Sequence, residues 1–273
     1  MNVVPWTLHD RIARYLRLYL AFVRFGFSRA MEFRVDFTFR IFMDLTFYAV
    51  QLGFWKLLYA RFAVIGGWTE PQILIFVAGY LFADAVTMTV FANNSWWFPI
   101  FINRGDLDYY LTRPVSPLFF LMTRDVAANS FVNLVIASGI LIWALAVYPE
   151  PLGLAAIAGY VALICVGVLI VAAVNFLLMI PTFWLHNSAG LREIFFQVHK
   201  YAEMPHQIFL PWMRRILLSV LPLAFLVSVP AHMLFDGYDA LTLAHMAVVL
   251  VGTYAVLVGF WRMGLRAYAS ASS

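Results

Sequence analysis

Three side chains able to bind a metal ion recur at helical spacing near residue 200. His199, Glu203 and His206 stand at i, i+4 and i+7, which places them on one face of a continuous helix. Pro205 interrupts that helix before the third side chain. The competing interpretation is a set of polar groups that hydrogen-bond to neighbouring helices, with Glu203 facing a polar route. We therefore expect no metal site here.

Polar side chains also occur inside long apolar stretches. Asp44 and Asp84 lie at similar distances from the same end of their predicted helices, so they can share one polar layer. Arg40 precedes Asp44 by four residues, and a charge ladder along one helix is the simpler explanation, with a substrate or proton site as the alternative. Asn129 and Asn133 share one helix face and predict hydrogen bonds between helices, with contact to a substrate as a second role.

The motifs of intrinsic catalysis are absent from the sequence. The phosphate-binding pattern G-x-x-x-x-G-K-[ST] does not occur, because neither of the two lysines, Lys56 and Lys200, follows glycine in that pattern. There is also no G-x-S-x-G elbow and no H-E-x-x-H helix. The single cysteine, Cys165, excludes a disulfide framework within the chain. We expect a protein that is not an enzyme and binds no cofactor itself.

The composition of the chain predicts an all-α integral membrane protein. Of its 273 residues, 64% are hydrophobic and only 12% are charged, with a mean hydropathy of +0.85, which is too apolar for a soluble domain. The net charge of +4 is explained by residues that set topology and contact lipid headgroups, so no nucleic-acid partner is expected.

Six helices are expected to cross the bilayer, each from about 20 apolar residues. Five predicted spans are clear in the sequence, at residues 37–61, 71–92, 126–147, 153–184 and 239–261. The stretch 188–235 is cut by prolines and admits two solutions. In one, residues 214–235 cross; in the other, residues 188–209 cross and the pieces 212–221 and 223–234 re-enter from outside.

Basic residues predict the orientation of the chain. Arginines are concentrated in the N-terminal segment, the 93–125 connection and the C-terminal end, which the positive-inside rule places in the cytoplasm. Within residues 1–35, Arg14, Arg17 and Arg24 recur at helical spacing. This pattern is typical of an amphipathic helix that lies on the cytoplasmic leaflet.

A polar segment, NRGDLDYYLTRPVSP at residues 103–117, separates the second and third predicted spans. Gly105 permits a sharp reversal, and Pro114 and Pro117 stop any helix. The string from Ile102 to Pro117 resembles the connection of type 2 ATP-binding-cassette (ABC) transporter permeases, in the branch of single-domain bacterial membrane subunits. The resemblance covers nearly the whole chain, including the ending GLRAYASAS at residues 264–272.

This resemblance implies a single permease domain over residues 1–273 of an ATP-driven exporter in the bacterial inner membrane. The 93–117 connection would dock on cytoplasmic ATPase subunits, which bind ATP and Mg²⁺, and the permease would form its route as a dimer with itself or a sister chain. The family's external re-entrant helices resemble residues 210–235, which favours the second solution above. The coupling role falls on Asn103, Arg104, Gly105, Asp106, Leu107, Leu111, Arg113 and Pro114.

A competing hypothesis is an ion-coupled secondary transporter or channel, in which Asp44 and Asp84 would be the coupling sites. That class predicts an internal inverted repeat, and none is visible in the sequence. The sequence does not identify the substrate.

Overall fold

Four apolar runs of the chain fold into helices long enough to cross a membrane, among the residues that the structure describes. The structure is a computed structural model and describes residues 8–30, 34–127, 130–185 and 189–268. The four long helices cover Ile41–Tyr59, Glu70–Arg104, Leu154–Leu185 and Ala240–Ala267, and a shorter apolar helix covers Ser130–Ala146. Length and apolar composition together make this a multi-pass membrane protein.

The described residues in the first half of the chain form seven α-helices and one β-hairpin. These elements are α1 (Leu8–Ala30), α2 (Arg34–Tyr59), β1 (Val64–Ile65), β2 (Trp68–Thr69), α3 (Glu70–Thr87), α4 (Asn93–Arg104), α5 (Leu107–Leu111), α6 (Pro117–Thr123) and α7 (Ser130–Ala146). A π-helical turn at Met88–Ala92 joins α3 to α4 without a break. The two short strands pair antiparallel, with Val64 opposite Thr69.

The second half of the described chain contains two long helices separated by shorter pieces. These elements are α8 (Leu154–Met179), α9 (Thr182–Leu185), α10 (Ala189–His199), α11 (Pro211–Leu217), α12 (Ser228–Asp236) and α13 (Ala240–Ala267). Short 3₁₀ turns occupy Lys200–Glu203, His206–Ile208 and Leu223–Phe225.

Local sequence explains where several helices begin. Thr69 precedes α3, and its backbone N–H donates to Oε1 of Gln72 at 3.0 Å, as expected of a capping box. Ser116 precedes α6 and accepts a hydrogen bond from the backbone N–H of Phe119, with Pro117 as first helical residue. Asp239 caps α13 in the same way through the backbone N–H of Thr242.

Helix α3 is the centre of the bundle. Its side chains are buried on nearly every face, because it packs against α2, α7 and α8. Phe76 of α3 and Tyr160 of α8 are fully buried, and the Tyr160 hydroxyl donates to the carbonyl oxygen of Ile75 at 3.2 Å. By contrast, α2 and α13 are mostly exposed, since only 11% of the most apolar stretch of each helix is buried. Those two helices expose the apolar surface that a bilayer would cover.

Two groups of contacts define the ends of the bundle. At the hairpin end, the ring of Phe235 packs against Trp68 of β2, with centroids 5.7 Å apart, and against Tyr148. At the opposite end, here called the α1 end, α1 and the 103–117 segment lie together. Arg14 of α1 donates to the carbonyl oxygen of Pro114 at 2.5 Å.

The proline-rich stretch between α9 and α13 runs from one end of the bundle to the other. Phe196 of α10 packs against Trp96 of α4, His199 approaches Asp84 near the middle of the continuous helix Glu70–Arg104, and Ile208 lies next to Gly66 of the hairpin. After Ile208, which lies at the hairpin end, the chain reverses direction through α11 and α12. Arg214 is held by the carbonyl oxygens of Phe209 and Gln207.

Candidate functional site

A cavity of about 300 Å³ lies between α2, α3 and α7, and we call it the α2–α3–α7 cavity. The lining combines acidic, amide, hydroxyl, aromatic and aliphatic side chains. It consists of Phe39, Met43, Asp44, Tyr48, Asp84, Ala85, Met88, Ala92, Asn93, Trp96, Ala127, Ser130 and Asn133. The structure therefore brings Asp44 and Asp84, 40 positions apart in the sequence, to one cavity.

Asn133 links α7 to α2 at the wall of this cavity. Its side-chain amide donates a hydrogen bond to the carboxylate of Asp44. The Asn133 side chain is buried, with 4% exposure, and its Oδ1 atom has no hydrogen-bond partner among the described residues. Asn129, the other asparagine predicted on this face, lies outside the described residues.

Asp84 lines the cavity from near the C-terminal end of α3, which is close to the middle of the continuous helix Glu70–Arg104. The distance from its Oδ1 atom to Nε2 of His199 is 3.8 Å, and both side chains are 13% exposed. His199 comes from α10, so this contact ties the cavity to the stretch that the sequence left ambiguous. A carboxylate at this depth is costly unless it has polar partners or a water-filled route beside it.

The helix wall beside the cavity departs from regular α geometry. Met88 and Ala92, the first and last residues of the π-helical turn, both line the cavity. A π-helical turn inserts one extra residue per turn and rotates the side chains that follow, and such turns are frequent at functional sites. Here the turn separates Asp84 from Trp96, which also lines the cavity.

The three side chains considered as metal ligands diverge in the structure. His199 approaches Asp84, whereas Glu203 accepts a hydrogen bond from Nε2 of Gln51 at 2.9 Å. His206 lies beyond the helix end, and its Nδ1 atom is 2.7 Å from Oγ of Ser228. The common helix face is lost because α10 ends at His199 and a 3₁₀ turn follows at Lys200–Glu203, and Pro205 then separates His206 from that turn. Glu203 does not line the α2–α3–α7 cavity.

The 103–117 segment forms a compact reversal at the α1 end. Gly105 ends α4 with φ of 78°, a left-handed conformation that glycine adopts without strain. Leu107 is fully buried and Tyr110 nearly so. They belong to a cluster that also holds Phe98, Phe183 and Trp261 from α4, α9 and α13. The segment is therefore fastened to three helices by its apolar side chains.

The outer surface of the same segment is polar and exposed. Its exposed side chains are Asn103, Arg104, Asp106, Tyr109, Leu111, Thr112, Arg113, Pro114 and Ser116. The guanidinium of Arg113 stacks 4.2 Å over the ring of Tyr109, which holds the charge at the surface. Among the residues predicted for coupling, only Leu107 is buried and Gly105 half-buried; the other six face outward.

Helix α1 lies along the 114–126 stretch. The hydroxyl of Tyr15 accepts a hydrogen bond from the backbone N–H of Ser116 at 3.1 Å, and its ring packs edge-on against Phe119. Further along, Phe22 packs against Phe120, with centroids 5.0 Å apart. Helix α1 thus packs with one face against the rest of the chain, and it also carries the arginines of an amphipathic helix.

The C-terminal end of α13 also touches the segment. Tyr268 packs against Phe183, with ring centroids 6.0 Å apart. Burial raises the pKa of Tyr268, and the nearby carboxylate of Asp108 raises it further, so the phenol stays protonated beside α5.

Several cavity residues were not anticipated from the sequence. In the sequence, Tyr48 and Trp96 look like the aromatic residues common in membrane proteins, and Ser130 looks like any other serine, yet all three line the cavity. One signal was available for Ser130: it precedes Asn133 by three positions, which places both on one helix face.

These features define a class: a multi-pass, all-α membrane protein with a polar cavity between its helices and a fastened polar reversal at one end. The model of the family described as ABC-2 family transporter protein matches residues 45–272. The chain belongs to this family and is the membrane permease of an ABC transporter. No curated protein and no solved structure matches the chain.

Proposed function

We propose that this permease is the membrane subunit of an ATP-driven exporter, coupled through its 103–117 segment to separate cytoplasmic ATPase subunits that bind ATP and Mg²⁺. The α1 end would then face the cytoplasm, with both chain termini on that side. The concentration of arginines in α1 and around the segment supports this orientation.

The observation that carries the proposal is the continuous helix from Glu70 to Arg104. Asp84, which lines the cavity, lies near the middle of this helix. Arg104 is its last residue, at the point where the exposed segment begins. About 30 Å of unbroken helix separates the two residues. A displacement of the segment by a bound partner would therefore move the cavity wall.

The way the segment is fastened also supports coupling. Leu107 and Tyr110 anchor its inner side in the cluster with Phe98 and Trp261, while Arg113 and Asp106 remain on the outer surface. A docking element needs both properties, because a loosely attached loop would absorb the motion instead of passing it on.

The proposal includes six crossings and a dimer. Helix α10 with its 3₁₀ extension would be the fifth crossing, and α11 and α12 the external re-entrant pieces. The contacts of His199 with Asp84 and of Ile208 with Gly66 support this path, since they follow the bundle from its middle to the hairpin end. Backbone that turns back at membrane depth is tolerated where protein buries it, and residues 222–231 are all buried. The dimer, with itself or a sister chain, would complete the route.

The test is co-purification followed by ATP hydrolysis. The chain, tagged and expressed together with a candidate P-loop ATPase subunit, should retain that ATPase through purification. Arg113→Glu reverses a charge on the outer surface of the segment and should reduce both retention and transport-linked ATP hydrolysis by about tenfold, as loss of a central charged contact does.

Arg61→Glu is the matched control. Arg61 is also exposed but lies beside the hairpin, at the other end of the bundle, so its reversal should leave retention unchanged. Equal loss in both variants would indicate a general effect on assembly. Retention of the ATPase by Arg113→Glu with full activity would refute docking on this surface. ATP-independent transport driven by an ion gradient would favour the secondary-transporter hypothesis.

A further inference from the structure

The α2–α3–α7 cavity has the composition of a site for an amine on an apolar body. Its lining includes two carboxylates, Asp44 and Asp84, and no lysine or arginine among the described residues. Its volume of about 300 Å³ is enough for a small organic molecule. We infer that the cavity binds a protonated amine. Binding itself does not depend on the proposed function, whereas identifying the bound amine as the exported substrate rests on it.

The charge requirement comes from Asp84. Its side chain is 13% exposed, so the carboxylate is largely removed from water, and His199 at 3.8 Å adds positive charge only if protonated. At membrane depth the electrostatic attraction between a carboxylate and a cation is much stronger than in bulk water. A cationic ligand in the cavity would therefore bind more tightly than a neutral ligand of the same shape, because Asp84 attracts only the cation.

A second and independent observation concerns hydrogen-bond donors. The Oδ1 atom of Asn133 is buried without a partner among the described residues, and leaving such an acceptor unsatisfied is costly. Ser130, one turn away on α7 and 7% exposed, offers a hydroxyl on the same wall. An ammonium group has several N–H donors, and this cavity places a carboxylate, Asp84, opposite a polar wall formed by Ser130 and Asn133.

The remaining walls suit an apolar body attached to the amine. Phe39 and Trp96 contribute aromatic rings, and Met43 and Met88 contribute flexible thioethers that adapt to different shapes. Aromatic faces also attract a nearby cation. The ligand class is thus a hydrophobic primary or secondary amine rather than an inorganic cation, which would leave these walls without contact.

The experiment measures binding to the purified chain alone, in nanodiscs of phosphatidylcholine, by equilibrium dialysis with subtraction of empty discs. The probe is 1-naphthylmethylamine, which is protonated at neutral pH, and its neutral comparison is 1-naphthylmethanol, which has nearly the same shape. We expect saturable binding of the amine, at least about tenfold tighter than that of the alcohol. Asp84→Asn should weaken amine binding by about tenfold or more and leave alcohol binding unchanged.

Two further variants separate charge from fold. Asp84→Glu keeps the charge and should retain most of the amine affinity, which a variant that had lost its fold would not. Glu150→Gln removes an exposed carboxylate at the hairpin end and should bind the amine as the unmodified chain does. Equal affinities for amine and alcohol, undiminished binding in Asp84→Asn, or saturable binding of sodium alone would each overturn the inference. The assay contains no ATPase, so failure here leaves segment docking intact, and failure of docking leaves amine binding intact.

Discussion

The side-chain amide of Asn133 in α7 donates a hydrogen bond to the carboxylate of Asp44 in α2, 89 positions away in the sequence. This bond crosses the edge of the α2–α3–α7 cavity and supplies a polar partner to a carboxylate inside an apolar bundle. It converts two residues that are each unfavourable in a membrane helix into a connection between helices.

Asn133→Ala should lower the free energy of unfolding by about 1–3 kcal/mol, because it removes a donor from the Asp44 carboxylate. The measurement is denaturant unfolding of the purified chain in mixed micelles. Val135→Ala is the control on the same helix, since Val135 is 71% exposed and its truncation should change stability little. Equal stability of the two variants would show that the bond contributes nothing.

Gly167 of α8 sits where the chain segment after α11 crosses. A Cβ atom at this position would lie 2.2 Å from the carbonyl oxygen of Phe225 and 2.8 Å from Cα of Leu226. Because backbone cannot move aside cheaply, Gly167→Ala should lower the free energy of unfolding by about 3 kcal/mol, near the upper end for overpacking.

Gly139→Ala supplies the comparison for Gly167→Ala in the same unfolding assay. Gly139 also lies within a helix, but nothing stands within 4 Å of an added Cβ. That variant should be neutral or slightly stabilised, because alanine favours the helix by up to about 1 kcal/mol. Similar losses in both variants would contradict the close packing of α8 on residues 225–226.

The approach of α1 to the 114–126 stretch can be tested at Gly26. A Cβ atom there would lie 2.5 Å from the carbonyl oxygen of Val126, so Gly26→Val should push α1 away, at a cost of about 1–3 kcal/mol. Tyr15→Cys with Phe119→Cys, in a chain with Cys165→Ser, provides the reporter. A short bifunctional maleimide should link the pair, and Gly26→Val should reduce that linking.

Gly53→Val is the matched control for the α1 experiment, because nothing stands within 4 Å of an added Cβ at Gly53. Its linking efficiency should equal that of the reporter chain. Unchanged linking in Gly26→Val would mean that α1 does not depend on this close approach.

Acid should weaken the start of α13 through Asp239. Hydrogen bonds from the backbone N–H and hydroxyl of Thr242, each 2.9 Å, hold the pKa of the Asp239 carboxyl below its ordinary value. When the pKa of a carboxyl group is lower in the folded state than in the unfolded state, its ionised form stabilises the fold. This stabilisation is fully present at pH values above the unfolded-state pKa and is lost as the pH falls through the folded-state pKa. The thermal midpoint should therefore fall as the pH drops below about 4, the ordinary pKa of an aspartate. Asp239→Asn, which cannot titrate, should show a smaller drop over the same range, and identical profiles would remove Asp239 as a contributor.

Composition and local pattern determined the membrane class and most of the spans. The predicted spans at 71–92, 153–184 and 239–261 each begin within one residue of the start of a long helix, at Glu70–Arg104, Leu154–Leu185 and Ala240–Ala267. This succeeds because hydrocarbon thickness sets helix length and can be read from apolar run length alone. The helix that contains the predicted span 71–92 continues for 12 more residues, because α4 follows the π-helical turn at Met88–Ala92 directly and includes polar Asn93 and Asn94.

Tertiary structure decided which side chains meet. The sequence identified Asp44, Asp84 and Asn133 as unusual but did not bring Ser130, Tyr48 or His199 beside them, because those contacts depend on how each helix is rotated about its axis. Likewise, arginine spacing in α1 predicts an amphipathic helix, whereas its packing on Ser116 and Phe119 joins residues about 100 positions apart. Periodicity reports which face of a helix is polar, and only packing between helices determines what that face touches.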